Sequence, residues 1–211
     1  QKQEEEMGMR YGLMDIGSNT IHAVVYELEG GKWKKVLSEK EYAEIISYVE
    51  DQTLSEEGIV RLTQAVESLR RLFTALPCEK TFYFATSALR SLKNGEAVLR
   101  AVEQQTDVKI TVISGQEEAY YDYVCLKHYL KQSKALGLDL GGGSGQVFLY
   151  QDDKLLDSAS YEIGCLRLYN QCVNGVLPSA KERNTICKQV RSLLQQGPDF
   201  TKTGQDTLYV I

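Results

Sequence analysis

Residues 15–27 of this chain, Asp-Ile-Gly-Ser-Asn-Thr-Ile-His-Ala-Val-Val-Tyr-Glu, align without a gap on residues 139–151, Asp-Leu-Gly-Gly-Gly-Ser-Gly-Gln-Val-Phe-Leu-Tyr-Gln. One pattern therefore occurs twice, with position 15 carried to position 139, an offset of 124. Asp15 meets Asp139, Gly17 meets Gly141, Thr20 meets Ser144 and Tyr26 meets Tyr150. In both copies an apolar run (Tyr11 to Ile16, or Ala135 to Leu140) enters a glycine-rich turn and leaves as a second apolar run, which reads as a β-hairpin. A single Asp-x-Gly carries little information. Two in the same strand-turn-strand setting point to two related lobes.

Between and after the copies, strand and helix signals alternate. Thr53-Leu54-Ser55-Glu56 fits a capping box, and Ile59, Leu62, Val66, Leu69, Phe73 and Leu76 recur at helical spacing until Pro77 stops the helix. Thr81 to Thr86 reads as a strand, Ser87 to Lys93 as a loop, and Asn94 as the cap of a helix reaching about Gln105. Val108 to Ile113 is a further strand, and Ser114-Gly115-Gln116-Glu117 a second capping box that opens a helix to about Leu130. We place the first lobe at 10–131 and the N-terminal part of a second at 135–211, with the boundary at Lys131 to Lys134. Ser158 to Ile163 reads as a strand, Ser179 to Glu182 caps a helix carrying Ile186, Val190, Leu193 and Leu194, and Thr207 to Ile211 begins a strand that stops in mid-run, as in part of a longer polypeptide. The fold class is α/β with mixed sheets and flanking helices.

Composition narrows the partners. The chain is 43% hydrophobic and 25% charged, and no apolar run approaches the roughly 18 residues of a membrane span. Residues 1–9 read as a polar tail without the basic and apolar parts of a signal peptide, so the expectation is a cytoplasmic protein with no membrane partner. Five cysteines, Cys78, Cys125, Cys165, Cys172 and Cys187, lack Cys-x-x-Cys spacing and read as reduced core thiols. A net charge of −5 spread along the chain argues against a nucleic-acid groove. Attraction to a polyanion must then be local, through glycine-rich turns, a few cations and a bound metal.

Each Asp-x-Gly turn suits phosphate. Glycine permits close approach of the backbone, successive N–H groups in a turn form an anion-binding nest, and the aspartate can hold magnesium or its waters. Gly17, Ser18, Asn19 and Thr20 supply the first turn, and Gly141, Gly142, Gly143 and Ser144 the second. Arg90, after a strand end, could grip a terminal phosphate bidentately. Glu117 and Glu118 diverge by about 100° on a helix, so they serve different ends. Glu117 occupies the third position of its capping box and folds back on Ser114, which leaves Glu118 for general-base work on an attacking water. His22 reads as a strand residue and is not paired with His128 as a metal site. No Walker-type P-loop and no Gly-x-Ser-x-Gly elbow occurs.

Five segments in order resemble the exopolyphosphatase and guanosine pentaphosphate phosphohydrolase (Ppx/GppA) family of the actin-like ATPase and sugar kinase superfamily. They are Asp15 to His22, Ala85 to Arg90 with Asn94-Gly95, Ile113 to Ala119, Asp139 to Ser144, and Gly164-Cys165-Leu166-Arg167-Leu168. The resemblance implies duplicated actin-like (ribonuclease H-like) lobes with a cleft between them. It also implies release of terminal phosphate from polyphosphate or guanosine pentaphosphate with Mg2+. By matching position it implies Glu118 as the catalytic base, Asp139 with the glycines after it as the metal and phosphate loop, and Asp15, Ser18, Asn19 and Arg90 as phosphate contacts, Asp15 also serving the metal. Oligomeric state stays open, a homodimer included.

One departure bears on the metal. Where the family usually reads D-x-G-G-G-S-T-E, this chain has Gly145-Gln146, so Gln146 is a weak ligand that brings no charge to a magnesium site. Two further readings compete with hydrolysis: an ATP-dependent kinase of the same superfamily, and a non-catalytic sensor of polyphosphate or guanosine polyphosphates.

Overall fold

The computed structural model of the protein describes residues 8–129, 133–200 and 207–211. Its strands and helices in chain order are β1 (Met9–Ile16), β2 (Thr20–Glu29), β3 (Lys32–Tyr42), β4 (Val49–Glu50), β5 (Thr53–Leu54), α1 (Glu56–Ala75), β6 (Lys80–Ala85), α2 (Ser87–Arg90), α3 (Gly95–Thr106), β7 (Thr111–Val112), α4 (Gly115–Leu126), β8 (Lys134–Leu140), β9 (Gly145–Gln151), β10 (Lys154–Tyr161), α5 (Cys165–Cys172), α6 (Ala180–Leu194) and β11 (Leu208–Val210), with a 3-10 turn at Ile45–Tyr48. The chain divides into two compact units between Val112 and Ile113.

The first unit is built on a sheet of order β3-β2-β1-β6-β7, in which β1 pairs antiparallel with β2 and parallel with β6. Alternation along β1 and β2 puts Met14, Ile16, Ile21, Ala23 and Val25 on one face, where they meet Leu62, Val66, Leu69 and Phe73 of α1 and Val98 and Val102 of α3. The cap of α1 is Ser55, whose hydroxyl accepts from Gly58 N–H; Thr53, the residue expected there, pairs in β5 instead. Asn94 stands at the N-cap of α3 without capping it, because its side-chain amide is engaged by both the N–H and the carbonyl of Leu54.

The second unit repeats the plan, with sheet order β10-β9-β8-β11. Asp139 lies opposite Gln146 as Asp15 lies opposite His22, so the repeat seen in sequence is a repeat of register. Both meanders turn on two consecutive left-handed residues, Gly30 and Gly31 in one and Asp152 and Asp153 in the other, the backbone that a tight hairpin turn requires. One face of this sheet, with Ala135, Phe148 and Tyr150, packs on Tyr123, Val124 and Leu126 of α4. The other carries Val147, Ala159, Tyr161 and Ile163 against Leu168 of α5 and Ile186, Val190 and Leu193 of α6.

Several expectations are corrected. The Ser87 to Lys93 segment is not all loop, since Ser87–Arg90 forms a helical turn ending in Arg90. The Val108 to Ile113 strand shrinks to Thr111–Val112. The helix expected to reach Leu130 ends at Leu126; residues 130–132, and with them half of the boundary placed at Lys131 to Lys134, lie outside the described residues, as do 1–7 of the expected tail. The compact units part earlier than that boundary because α4 packs on the second sheet. The five cysteines are free but none is buried: Cys78 and Cys172 are half-buried, and Cys125, Cys165 and Cys187 exposed.

Candidate functional site

The Asp139 turn is held from behind. Gly141 N–H donates to the Ser144 carbonyl at 3.0 Å, closing the turn. The amide of Cys165 donates to the Gly141 carbonyl, and those of Leu166 and Arg167 to the Gly142 carbonyl, each at 3.0 Å. Arg167 Nε then donates to the Gly143 carbonyl at 2.9 Å. In a trans peptide the N–H points opposite to the C=O of the preceding residue. With three successive carbonyls drawn toward α5, the amides of Gly142, Gly143 and Ser144 all point away from it. No backbone carbonyl among the described residues accepts from these three amides.

This close backing depends on Gly164, where a Cβ would collide with the main chain of Gly142 and Gly143. The nest expected from sequence takes another form. A nest of alternating right- and left-handed residues needs a positive φ, and residues 141–144 and 17–20 have none. Here the donors are aligned by what grips the carbonyls.

The Asp15 turn shows the same device in smaller form. Gly17 N–H donates to the Thr20 carbonyl at 3.1 Å, while Ile46 N–H takes the Ser18 carbonyl (3.0 Å) and Glu44 N–H the Asn19 carbonyl (2.8 Å). The amides of Asn19 and Thr20 accordingly point away from the 44–46 segment. Ser18 Oγ lies 3.2 Å from Ser87 Oγ, which joins the turn to the start of α2, and Arg90 closes that helix half-buried. Because β1 and β6 run parallel, Asp15, the turn and Arg90 gather at the carboxyl ends of these strands, the usual place for a ligand in such sheets. His22 is a strand residue, as expected, with Nε2 2.9 Å from Ser38 Oγ; burial and then Lys40 and Lys35 lower its pKa.

Glu117 and Glu118 separate as the helix geometry requires. Glu117 accepts from Ser114 N–H at 2.7 Å while Ser114 Oγ accepts from Glu117 N–H, and hydrogen bonding of the carboxylate to the Ser114 backbone, then to its side chain, lowers the Glu117 pKa. Glu118 is half-buried on α4, the helix that covers the face of the second sheet carrying Phe148 and Tyr150. Period-two alternation puts Asp139 and Gln146 on that same face. Asp139 is half-buried, and burial raises its carboxyl pKa above the usual range. Gln146 is 1% exposed, and its Nε2 donates to both Ser144 Oγ and Ser160 Oγ at 2.9 Å. Its amide nitrogen is thereby committed, and Oε1 is the atom left to act as a ligand. Sequence reasoning gave no role to Gly164 or Arg167, although both stand in the Gly164-to-Leu168 segment that carried part of the resemblance.

Two α/β units of one topology, each with a backed glycine turn after its first strand, define the duplicated actin-like class. The model of the Ppx/GppA phosphatase family matches residues 24–209, and the chain belongs to this family. It is 27% identical over 164 residues to exopolyphosphatase 1 of Mycobacterium tuberculosis, covering 76% of this chain and 48% of that protein. It is 26% identical over 158 residues to the guanosine-5'-triphosphate,3'-diphosphate pyrophosphatase of Pseudoalteromonas atlantica, covering 74% and 31%. The chain thus spans about half the length, or less, of these relatives. Among solved structures, an exopolyphosphatase from Cytophaga hutchinsonii shares the fold with TM-score 0.81 at 21% identity, covering 88% of this chain and 61% of that one. The Aquifex aeolicus Ppx/GppA family member does so with TM-score 0.73 at 24% identity, covering 96% and 65%. Among the described residues no helix is long and apolar enough to cross a membrane.

Proposed function

We propose that this chain carries the phosphate-handling part of a hydrolase that removes terminal phosphate from inorganic polyphosphate or guanosine pentaphosphate. The observation that carries the reading is the set of amides at Gly142, Gly143 and Ser144, turned to one side by the carbonyl grip of Cys165, Leu166 and Arg167. Donors fixed before the ligand arrives stabilise charge on a phosphoryl group most effectively. Asn19, Thr20 and Arg90 supply further donors in the first unit, and family membership supports the reaction class.

In this mechanism a water attacks the terminal phosphorus, the phosphoanhydride P–O bond breaks, and the leaving phosphate departs with the bridging oxygen. Glu118 takes the water's proton. The turn amides hold the phosphoryl oxygens, since phosphoryl transfer is mostly positioning and charge neutralisation. The donor set fits a magnesium ion held by few carboxylates together with water and substrate oxygens. Burial penalises the charge of Asp139, and a cation beside it would relieve that penalty. Within the second unit Asp139 would hold the ion, with Gln146 Oε1 a weak second ligand across the β8–β9 pair, and the ion would neutralise charge on the phosphates.

The sensor reading draws on Gln146, whose side chain braces Ser144 and Ser160 where the family has an acid. Phosphate release from long-chain polyphosphate and from guanosine pentaphosphate, with and without Mg2+, separates the readings. Magnesium-dependent release supports the hydrolase. Tight binding without release supports the sensor, and binding of neither ligand overturns both.

A further inference from the structure

We propose that Arg167 is a positioning residue that sets the direction of the Gly143–Ser144 peptide and so decides whether the second turn presents its third amide donor. Of the three carbonyls drawn toward α5, those of Gly141 and Gly142 are held by main-chain amides, which no side-chain substitution removes. The Gly143 carbonyl is held by a side chain, Arg167 Nε at 2.9 Å. Gly143 has no Cβ to restrict rotation about its ψ, so sterics alone do not fix this peptide. The bond to the guanidinium does.

The guanidinium is itself steadied. Its NH1 lies 3.1 Å from Glu162 Oε2, and the Arg167 side chain is 16% exposed against 54% for Glu162. A planar fork can serve the carbonyl through Nε and the carboxylate through NH1 together, whereas a lysine ammonium is a point charge without that geometry. A rotated Gly143–Ser144 peptide would turn the Ser144 N–H out of line and bring a carbonyl oxygen toward the anion. The functional half of this inference rests on the phosphate reading; the structural half does not.

The test uses the whole chain, 15N-labelled, as wild type, Arg167→Met, Arg167→Lys, Arg167→Ala and Glu162→Gln. The first readout needs no ligand: the amide resonance and hydrogen exchange of Ser144. Both should change in Arg167→Met and Arg167→Lys and much less in Glu162→Gln, while the amides of Leu166 and Leu168 keep their protection. The second readout is affinity for tripolyphosphate in chelator-treated, metal-free buffer, which should fall by about tenfold or more in Arg167→Met, as expected for one donor to a charged group. Added guanidinium ion should restore part of that loss in Arg167→Ala. An unmoved Ser144 amide with affinity within twofold of wild type in both Arg167→Met and Arg167→Lys overturns the proposal. Failure of Arg167→Met to fold, with Arg167→Lys folded and both readouts unchanged, overturns it equally. A wild type that binds no tripolyphosphate, together with a shifted Ser144 amide in Arg167→Lys, removes the phosphate reading and leaves the positioning role standing.

Discussion

At Gly137 the ring of Phe148, its partner across the β8–β9 pair, lies where a side chain would begin. A Cβ there meets an aromatic ring that is itself fully buried, so one added methyl overpacks the core of the second unit. We expect Gly137→Ala to cost about 1–3 kcal/mol, read as a lower urea midpoint. The same change on a Phe148→Leu background should cost less, because the smaller side chain frees the space; equal costs on both backgrounds would show the contact to be relaxed away. The paired glutamates offer a residue-scale test of catalysis. Glu118→Gln should lower kcat for phosphate release by about 10²- to 10⁴-fold, the range of general-base contributions. Glu117→Gln should leave kcat within a few-fold and instead loosen the first turn of α4, because its carboxylate is already held by Ser114. Similar losses of kcat in both variants would reverse the assignment.

Among the helices, α6 shows how a cap becomes a pH response. Glu182 accepts from Ser179 N–H and Oγ and from Asn174 N–H and Nδ2, and these bonds take its pKa from 4.5 to about 2. Its folded pKa is lowered, so between these values the unfolded chain binds the extra proton, and the stabilisation is full above pH 4.5 and lost as pH falls through about 2. We expect the urea-midpoint gap between wild type and Glu182→Gln to narrow steadily over that window. A gap independent of pH would place the effect elsewhere.

The capping boxes at Ser114 and Ser179 were legible in sequence because a box is local, three residues from cap to acid. The glycine turns were legible because the same pattern occurs twice. The strand β3 was not read, since Lys32, Trp33, Lys34 and Lys35 at its start are all exposed on an edge and give no apolar alternation. The grip of Arg167 on Gly143 was equally hidden, because it joins residues 24 positions apart and depends on where a carbonyl points, which no residue type records.

Across the whole molecule, the division between Val112 and Ile113 assigns α4 to the unit that follows it in sequence. The apolar pattern of α4 does not say which sheet it covers; Tyr123 does, through its ring contacts with Phe148 and Tyr150 and its bond to the Asp153 carbonyl. Hydrogen exchange can check this assignment. Gly137→Ala, which strains the second sheet, should speed exchange in residues 115–126 together with β8 and β9, and leave β1 and β2 near wild-type protection. Acceleration in β1 and β2 to the same degree would mean that the units open as one.

The backing of the second turn also bears on the heat of binding. Three consecutive glycines are the most disordered linker a chain can contain, and a free Gly-Gly-Gly loop would lose that disorder only when an anion froze it. Here α5 freezes it during folding, so ligand association should carry a small entropic penalty. Any change that softens α5, however far from the anion, should then appear in calorimetry as a more unfavourable entropy of binding with little change in enthalpy.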